Sequence, residues 1–282
     1  MCGWRAIQCA AGLPSIIAFI VPKDLQITVL GSGTSHGVPM IACDCAVCTS
    51  ADPRDRRTRP SILIQFGGAT ERISLLVDTS PELRLQCLAC NVRRVDAVLY
   101  THHHIDHIAG LDDLRRFNWI QSQAMPCYGQ PETLERLRAM FGYVFESDAD
   151  YPSAKPQLDL REIQGPFEIG GTTITPIPLL HGTLPVLGFR VGDFAYCTDV
   201  NQIPPASWPL LAGLRVLILD ALRRRAHPTH FSLGEAVDHA RRIGAGHTYF
   251  THIAHELGHE ATNRELPAGM ALAYDGQVIR LD

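Results

Sequence analysis

The sequence predicts a layered α/β domain, and three observations carry that expectation. Short β-branched or apolar runs alternate with helical stretches from Leu25 onward. Hydrophobic residues make up 46% of the 282 positions and charged residues 19%, which is enough apolar material for a buried core and too much for a disordered chain. No repeat, low-complexity tract or Gly/Ser linker divides the chain, so residues 25–282 read as one domain and residues 1–24 as an N-terminal extension.

Strands are expected at Gln26–Leu30, Ile62–Phe66, Ile73–Val77, Val95–Tyr100, Thr172–Leu179, Phe194–Thr198, Val216–Leu219 and Thr248–Thr251. Helices are expected at Pro81–Ala89, Asp106–Phe117, Pro131–Phe141, Pro204–Leu211 and Ser232–Ile243, several with proline near the first turn. Ser232 and Glu235 have the spacing of a capping box. Ala271–Leu281 resembles a hairpin turning at Asp275-Gly276. The apolar run Ile16–Val21 follows a lone Arg5 and is flanked by Gly12, Pro14 and Pro22. It lacks the basic start and cleavage site of a signal peptide and is too short to span a bilayer, so no membrane attachment is expected.

The formal charge of -4 shows no basic excess for holding a polyanion along the surface, so phosphate recognition has to be local and nucleic acid is not the expected partner. Arg54, Arg56, Arg57, Arg59 and the run Arg223–Arg225 read as solvated loop positions, with Asp52 and Asp55 interleaved. The nine cysteines are odd in number, and three fall within six residues at Cys43, Cys45 and Cys48. That clustering reads as metal binding in a reducing compartment, hence a cytoplasmic protein. The other six read as core thiols, with Cys87 and Cys90 one helical turn apart.

The most informative segment is Thr101-His102-His103-His104-Ile105-Asp106-His107, directly after the apolar run Val98-Leu99-Tyr100. A strand end followed by dense imidazole and carboxylate is a ligand platform. In loop geometry His102 and His104 point the same way, while a turn into a helix lets Asp106 and His107 face a neighbouring point. Three isolated positions supply what this loop lacks: His181 after Leu179-Leu180, Asp199 after Cys197-Thr198, and His252 after Phe250-Thr251. Each is a ligand type placed just past an expected strand.

This ordered set, T-H-x-H-x-D-H followed by a later His, Asp and His, resembles that of the metallo-β-lactamase superfamily. The resemblance implies an αββα sandwich with two divalent cations at its rim, manganese or zinc. It implies His102, His104 and His181 as ligands of one cation, Asp106, His107 and His252 as ligands of the other, and Asp199 as the bridge. An aspartate at the bridging position implies phosphoester rather than amide hydrolysis, with Asp106 also counted among the catalytic groups.

Finer features are similar to the PhnP-type phosphoribosyl cyclic phosphodiesterases: Gly31-Ser32-Gly33-Thr34-Ser35-His36-Gly37-Val38-Pro39, the cysteine triplet, and Thr251-His252-Ile253-Ala254-His255. That likeness implies a structural zinc on Cys43, Cys45, Cys48 and His255, a closed tetrahedral set with no open position for chemistry. It also implies a catalytic histidine at His230, which the capping box places beside a helix N-terminus, where free backbone donors favour a phosphate. A solvated loop position is the alternative for His227 and His230. Gly31-x-Gly33 alone reads as a tight turn, and Asp78 as a residue that orients a ligand histidine. His239, His247 and His259 have no assigned role.

The expected activity is hydrolysis of a small cyclic phosphodiester, phosphoribosyl 1,2-cyclic phosphate-like, by a metal-bridging hydroxide with His230 assisting the leaving alcohol. Two rivals share many of the same residues: a tRNA-processing endonuclease of the superfamily, and a non-hydrolytic coenzyme-biosynthesis binding protein. The oligomeric state is open, a homodimer included.

Overall fold

Six strands from the first half of the chain build one sheet: β1 (Leu25–Gly31), β2 (Ser61–Phe66), β3 (Ile73–Val77), β4 (Ala97–Leu99), β5 (Met125–Gly129) and β6 (Leu158–Glu162). The second half builds another from β7 (Phe167–Ile169), β8 (Thr172–His181), β9 (Leu184–Val191), β10 (Phe194–Cys197), β11 (Val216–Asp220), β12 (His247–Thr251) and β13 (Met270–Leu272). The last strand, β14 (Val278–Leu281), then returns to the first sheet and pairs antiparallel with β1. The orders are β14-β1-β2-β3-β4-β5-β6 and β13-β12-β11-β10-β9-β8-β7. This computed structural model describes residues 22–68, 71–147 and 153–281. The expected extension, residues 1–24, therefore lies almost entirely outside the described residues.

Both sheets are apolar on both faces, which is why their central strands read as hydrophobic runs rather than alternations. Between the sheets, Ile27, Ile64, Leu75 and Val77 belong to one buried cluster with Phe189, Phe194, Tyr196 and Ile218. Behind the first sheet, Leu63, Leu76 and Val98 pack with residues of α1 (Leu83–Ala89), α2 (Ile105–Ile108), α3 (Arg115–Gln121), α4 (Pro131–Met140) and α5 (Gly142–Phe145). Behind the second, Ala195, Leu217 and Leu219 pack with Ala236 and Ala240 of α6 (Leu233–Ile243) and with Leu211. A short α7 (His259–Asn263) lies beside β13. The layers are therefore helix, sheet, sheet, helix, the αββα sandwich that the superfamily resemblance implies.

The chemistry-bearing loops share one end of this sandwich because of strand direction. β3 and β4 are parallel, as are β10, β11 and β12, so the segments leaving them emerge on the same side. Ligand sites in open α/β sheets form outside such carboxyl ends. Two backbone contacts join the sheets there: Leu187 N donates to Thr101 O at 3.0 Å, and Gly33 bridges to Ile253.

Several expectations need correction. Ala271–Leu281 is not a hairpin, because β13 pairs with β12 and β14 with β1. The Asp275-Gly276 turn instead carries the chain from one sheet to the other, and the half-buried Asp275 carboxylate accepts from the amides and hydroxyls of Ser32 and Thr58. The helix expected over Asp106–Phe117 breaks into α2, a 3-10 turn at Leu111–Leu114, and α3. Pro204–Leu211 is a 3-10 turn from Pro205, with Pro209 removing a helical donor. Arg57 is not solvated: its guanidinium is buried on Asp55 at 2.9 Å and on the carbonyls of Ala254 and Leu257.

The break after α2 has a steric cause. Gly110 N donates to Thr79 O at 2.9 Å, and a Cβ at Gly110 would lie 2.0 Å from the Ser80 carbonyl oxygen. Gly110→Ala is therefore expected to cost about 1–3 kcal/mol by overpacking, read as a lower midpoint of thermal or urea unfolding. An unchanged midpoint would contradict the close approach.

Candidate metal-binding active site

Among the described residues, three of the seven non-glycine residues with positive φ lie at the sandwich end: Asp78 (φ 63), Asp199 (φ 51) and His252 (φ 60). Asp78 and His252 directly follow β3 and β12, and Asp199 follows β10 by two residues. A left-handed step at a strand end swings the next side chain back over the sheet edge. Such conformations cost roughly 1–3 kcal/mol each and are held in place by the surrounding structure.

The loop after β4 and these strand ends bring the sequence-predicted residues together. Donor atoms of His102, His104, His181 and Asp199 all lie within 4.8 Å of one another, and so do those of Asp106, His107, His252 and Asp199. Asp199 belongs to both sets. Its carboxylate oxygens lie 3.2 Å from His107 Nε2, 3.3 Å from His252 Nε2, 3.8 Å from His102 Nε2 and 3.9 Å from His181 Nε2. All of these are buried except His104, which is exposed at the rim.

Nε2 of His102, Nε2 of His107 and both ring nitrogens of His252 are buried without a hydrogen-bond partner. Carboxylate oxygens are near them but not aligned with them, as expected when several donors are arranged around a common centre. Orphaned buried nitrogens are costly. A divalent cation in each cluster would satisfy the three Nε2 atoms, while His252 Nδ1 faces Asp220 Oδ1 at 3.9 Å, so the residues present fit two such ions.

Supporting groups fix the rings. Asp78 accepts from Thr101 N and Thr101 Oγ1 at 2.8 Å each and holds His107 Nδ1 at 2.7 Å, the orienting contact its position in the sequence suggests. His181 Nδ1 lies 2.7 Å from Thr229 O. His230 is brought to the second cluster, its ring stacked on His252 at 4.6 Å and edge-on to His181 at 4.5 Å. Asp220, at the end of β11, was not singled out in the sequence. Its Oδ1 lies 3.0 Å from His230 Nδ1 and 3.9 Å from His252 Nδ1, and its Oδ2 accepts from Phe231 N at 3.0 Å. The signal was present, since Asp220 ends a strand as Asp78 follows one, but it stands inside an apolar run with no histidine next to it.

The electrostatics follow from burial against charge. Burial opposes protonation of His107 and His252, yet the carboxylates around them outweigh it. Asp199, Asp106 and Asp78 raise His107 well above the ordinary histidine value, and Asp199 and Asp106 push His252 up to about 9. Asp199 is held well below the carboxylate range, burial being outweighed by His252 and His107. Burial lifts Asp220 well above that range and lowers His230 to about 4.

The four remaining sequence-predicted residues form a separate cluster. Sγ of Cys43, Cys45 and Cys48 lie 3.2, 3.4 and 3.6 Å from His255 Nδ1. Zinc bonds of about 2.3 Å to sulfur and 2.0 Å to nitrogen at tetrahedral angles place such atoms about 3.5 Å apart. The Cys48 amide, first among several hydrogen bonds, brings the Cys45 thiol down to about 6, whereas burial pushes Cys48 up to about 11. His239 packs on Phe231, His259 is buried and His247 exposed; none joins either cluster.

A family model described as the beta-lactamase superfamily domain matches residues 74–253, which include all seven residues of the paired clusters. The chain belongs to the beta-lactamase superfamily, and with this site it is a metal-dependent hydrolase. Within that class it is 44% identical to a crystal structure described as a new diphosphatase from the PhnP family, with a TM-score of 0.85 and coverage of 92% of this chain and 97% of that one. An octanoyltransferase of Porphyromonas gingivalis is 38% identical over 89% of this chain, which spans 51% of that relative's length. A ribonuclease Z of Mycobacterium sp. (strain KMS) is 28% identical over 90% of this chain and 92% of that protein. Among the described residues, no helix is long and apolar enough to cross a membrane.

The raised histidines predict how metal binding depends on pH. With His252 near 9 and His107 also raised, both hold protons at pH 7 in the metal-free protein, and a cation must expel them. Affinity should rise as pH climbs toward about 9 and fall below it. Calorimetry at pH 7 in buffers of different ionisation enthalpy should show about one to two protons released per filled pair. Binding without proton release would contradict this electrostatic picture.

Proposed function

We propose that this chain is a two-metal phosphodiesterase that hydrolyses a small cyclic phosphodiester of the phosphoribosyl 1,2-cyclic phosphate kind. The observation that carries the reading is the His230–Asp220 pair set directly against a donor cluster that shares the Asp199 carboxylate. In this reading His102, His104 and His181 hold one cation, Asp106, His107 and His252 the other, and Asp199 bridges them, with manganese or zinc bound. Cys43, Cys45, Cys48 and His255 hold a structural zinc, and the thiol cluster suits the cytoplasm. The paired cations, when bound, supply an activated water and offset charge on the phosphoryl oxygens.

The chain's own residues do the rest. Asp220 fixes the His230 ring through Nδ1 and leaves Nε2 for the leaving oxygen. An anionic diester beside His230 favours its protonated form, against the burial that keeps it neutral at rest. Asp78 and Thr101 keep the His107 ring at one angle, so the scissile group meets a preorganised site.

The arginines argue for a small substrate rather than RNA. Arg54 pairs with Asp52 and Glu260, Arg57 with Asp55, Arg59 with Glu82, Arg224 with Glu265 and Arg225 with Glu256. The charge of these five is largely paired within the fold, which disfavours a long phosphate backbone running along them. The intact donor set argues against a purely binding role. One further reading has direct support, cleavage of a diphosphate, because the 44% identical neighbour is described as a diphosphatase.

The leaving group separates these readings. His230→Ala should keep its metal content and lose ~10²–10⁴-fold in kcat on a cyclic diester whose leaving group is a sugar alcohol. The loss should shrink on p-nitrophenyl esters and on diphosphates, whose leaving groups depart without a proton. A panel of wild-type and variant rates on all three substrate types makes the test. Depletion of metal by the substitution, or equal slowing of every substrate, would remove His230 from the proton-delivering role.

A further inference from the structure

The segment 252–257 contributes to two separate clusters. His252 Nε2 lies 3.3 Å from the Asp199 carboxylate, and farther along the same segment His255 Nδ1 lies 3.2 to 3.6 Å from the thiols of Cys43, Cys45 and Cys48. Two histidines so close in sequence can meet both clusters only if the backbone between and beyond them is fixed. Ile253 N donates to Ser32 O at 2.9 Å, Ile253 O accepts from Thr34 N at 3.2 Å, and Ala254 N donates to Leu222 O at 2.9 Å. The carbonyls of Ala254 and Leu257, on either side of His255, both accept from the guanidinium of Arg57.

The Arg57 side chain is 0% exposed, and each of its nitrogens has a partner. Nε donates to Arg54 O at 3.3 Å, Nη1 to Ala254 O at 3.2 Å, and Nη2 to Asp55 Oδ1 at 2.9 Å and Leu257 O at 2.7 Å. Asp55 is itself held, since its Oδ1 accepts from His259 N at 2.7 Å. A buried charge is tolerated only when it is paired and hydrogen-bonded in this way. The backbone of Arg57 is as closely engaged as its side chain. Arg57 N donates to Val38 O at 2.7 Å, Arg57 O accepts from Val38 N at 2.8 Å, and a Cβ on Gly33 would come within 2.7 Å of Arg57 O. The Gly31–Pro39 stretch thus packs on the backbone of the same arginine whose side chain holds the 254–257 turn. Just past that stretch, Met40 N donates to Cys48 Sγ at 3.3 Å.

We propose that Arg57 is a positioning residue that links the thiol cluster to the cluster of Asp106, His107, Asp199 and His252, so that metal on the thiols strengthens cation binding at the second cluster. The inference rests on the reading above that both clusters hold metal. An ion that draws His255 against the thiols fixes the turn around it, and the guanidinium, anchored on Asp55, holds the carbonyls of that turn in register with His252. His252 has a φ of 60°, a strained step that persists only while its surroundings hold it. With the thiols empty or the guanidinium gone, the turn is free to shift, and part of the binding energy of a cation at His252 is spent on ordering it. Such a coupling is reciprocal. His102, His104 and His181 stand on other segments, so the first cluster should feel it least.

The test is a double-mutant cycle on the full chain, with zinc offered to the thiols and manganese to the imidazole and carboxylate clusters. Zinc content is read by elemental analysis and the two manganese affinities by paramagnetic resonance titration, so no turnover is needed. Cys45→Ser should lose about one zinc per chain. Cys45→Ser and Arg57→Met should each weaken one of the two manganese steps by about 10- to 100-fold. The double variant should bind manganese no more weakly than the worse single variant, because both changes cut the same link. Losses that multiply, as for independent structural damage, would overturn the proposal. Arg57→Lys keeps the charge without the planar fork and should recover part of the affinity. Should a single variant fail to fold, Arg57→Lys or His255→Gln takes its place in the cycle. Loss of zinc with manganese binding unchanged would overturn the link and leave the thiol site standing, whereas a Cys45→Ser protein that keeps its zinc would overturn both. Equal weakening of the two manganese steps would also overturn the link.

Discussion

One buried carboxylate organises the active end of this protein. Asp199 sits within 3.2 to 3.9 Å of four histidine nitrogens drawn from three different segments. Anionic oxygens and neutral or protonated imidazoles at such separations, without aligned hydrogen bonds, make sense only around positive charge. Desolvation alone would drive the carboxylate toward its neutral form, and the histidine charges reverse that in the metal-free protein. The cost of burying so many polar groups is the reason the site needs cations, and the cations are the reason it can do hydrolytic chemistry.

The sandwich delivers these groups by a simple geometric device. Parallel strands in each sheet end on the same side, and at three of those ends the backbone takes a left-handed step at Asp78, Asp199 or His252. Bulky or β-branched residues are strained in that conformation, whereas aspartate tolerates it better. Histidines of the clustered segments are then braced by a second polar group: Asp78 behind His107, Asp220 behind His230 and beside His252, Thr229 O behind His181. A close-packed arrangement of this kind holds reacting groups at fixed separations, which is where much of a hydrolase's advantage over solution lies.

The layered architecture and the residues that the paired His/Asp clusters bring together were legible in the sequence because both rest on local patterns. Apolar runs mark β1, β2, β3, β10, β11 and β12, and the histidine motif announces itself between Tyr100 and Ile108. What escaped were elements whose identity comes from their neighbours. β9 contains Pro185 and Gly188, β5 contains Pro126, and β6 is a polar edge strand, so each reads as loop until a partner strand is present. The Asp275-Gly276 turn looked like a hairpin because a turn signal cannot tell which sheet its flanks will join. Asp220 was hidden for a related reason: a carboxylate at the end of an apolar run gains meaning only from what it faces across the fold.

The central claim is that Asp199 lies between two cations. Anomalous diffraction from crystals of the metal-reconstituted protein, recorded on either side of the metal absorption edge, measures this most directly. The account predicts two peaks about 3.5–4 Å apart, each in contact with a different oxygen or face of the Asp199 carboxylate, and a third, isolated peak among Cys43, Cys45, Cys48 and His255. A single peak at the histidine clusters, or two peaks of which neither touches Asp199, would contradict it.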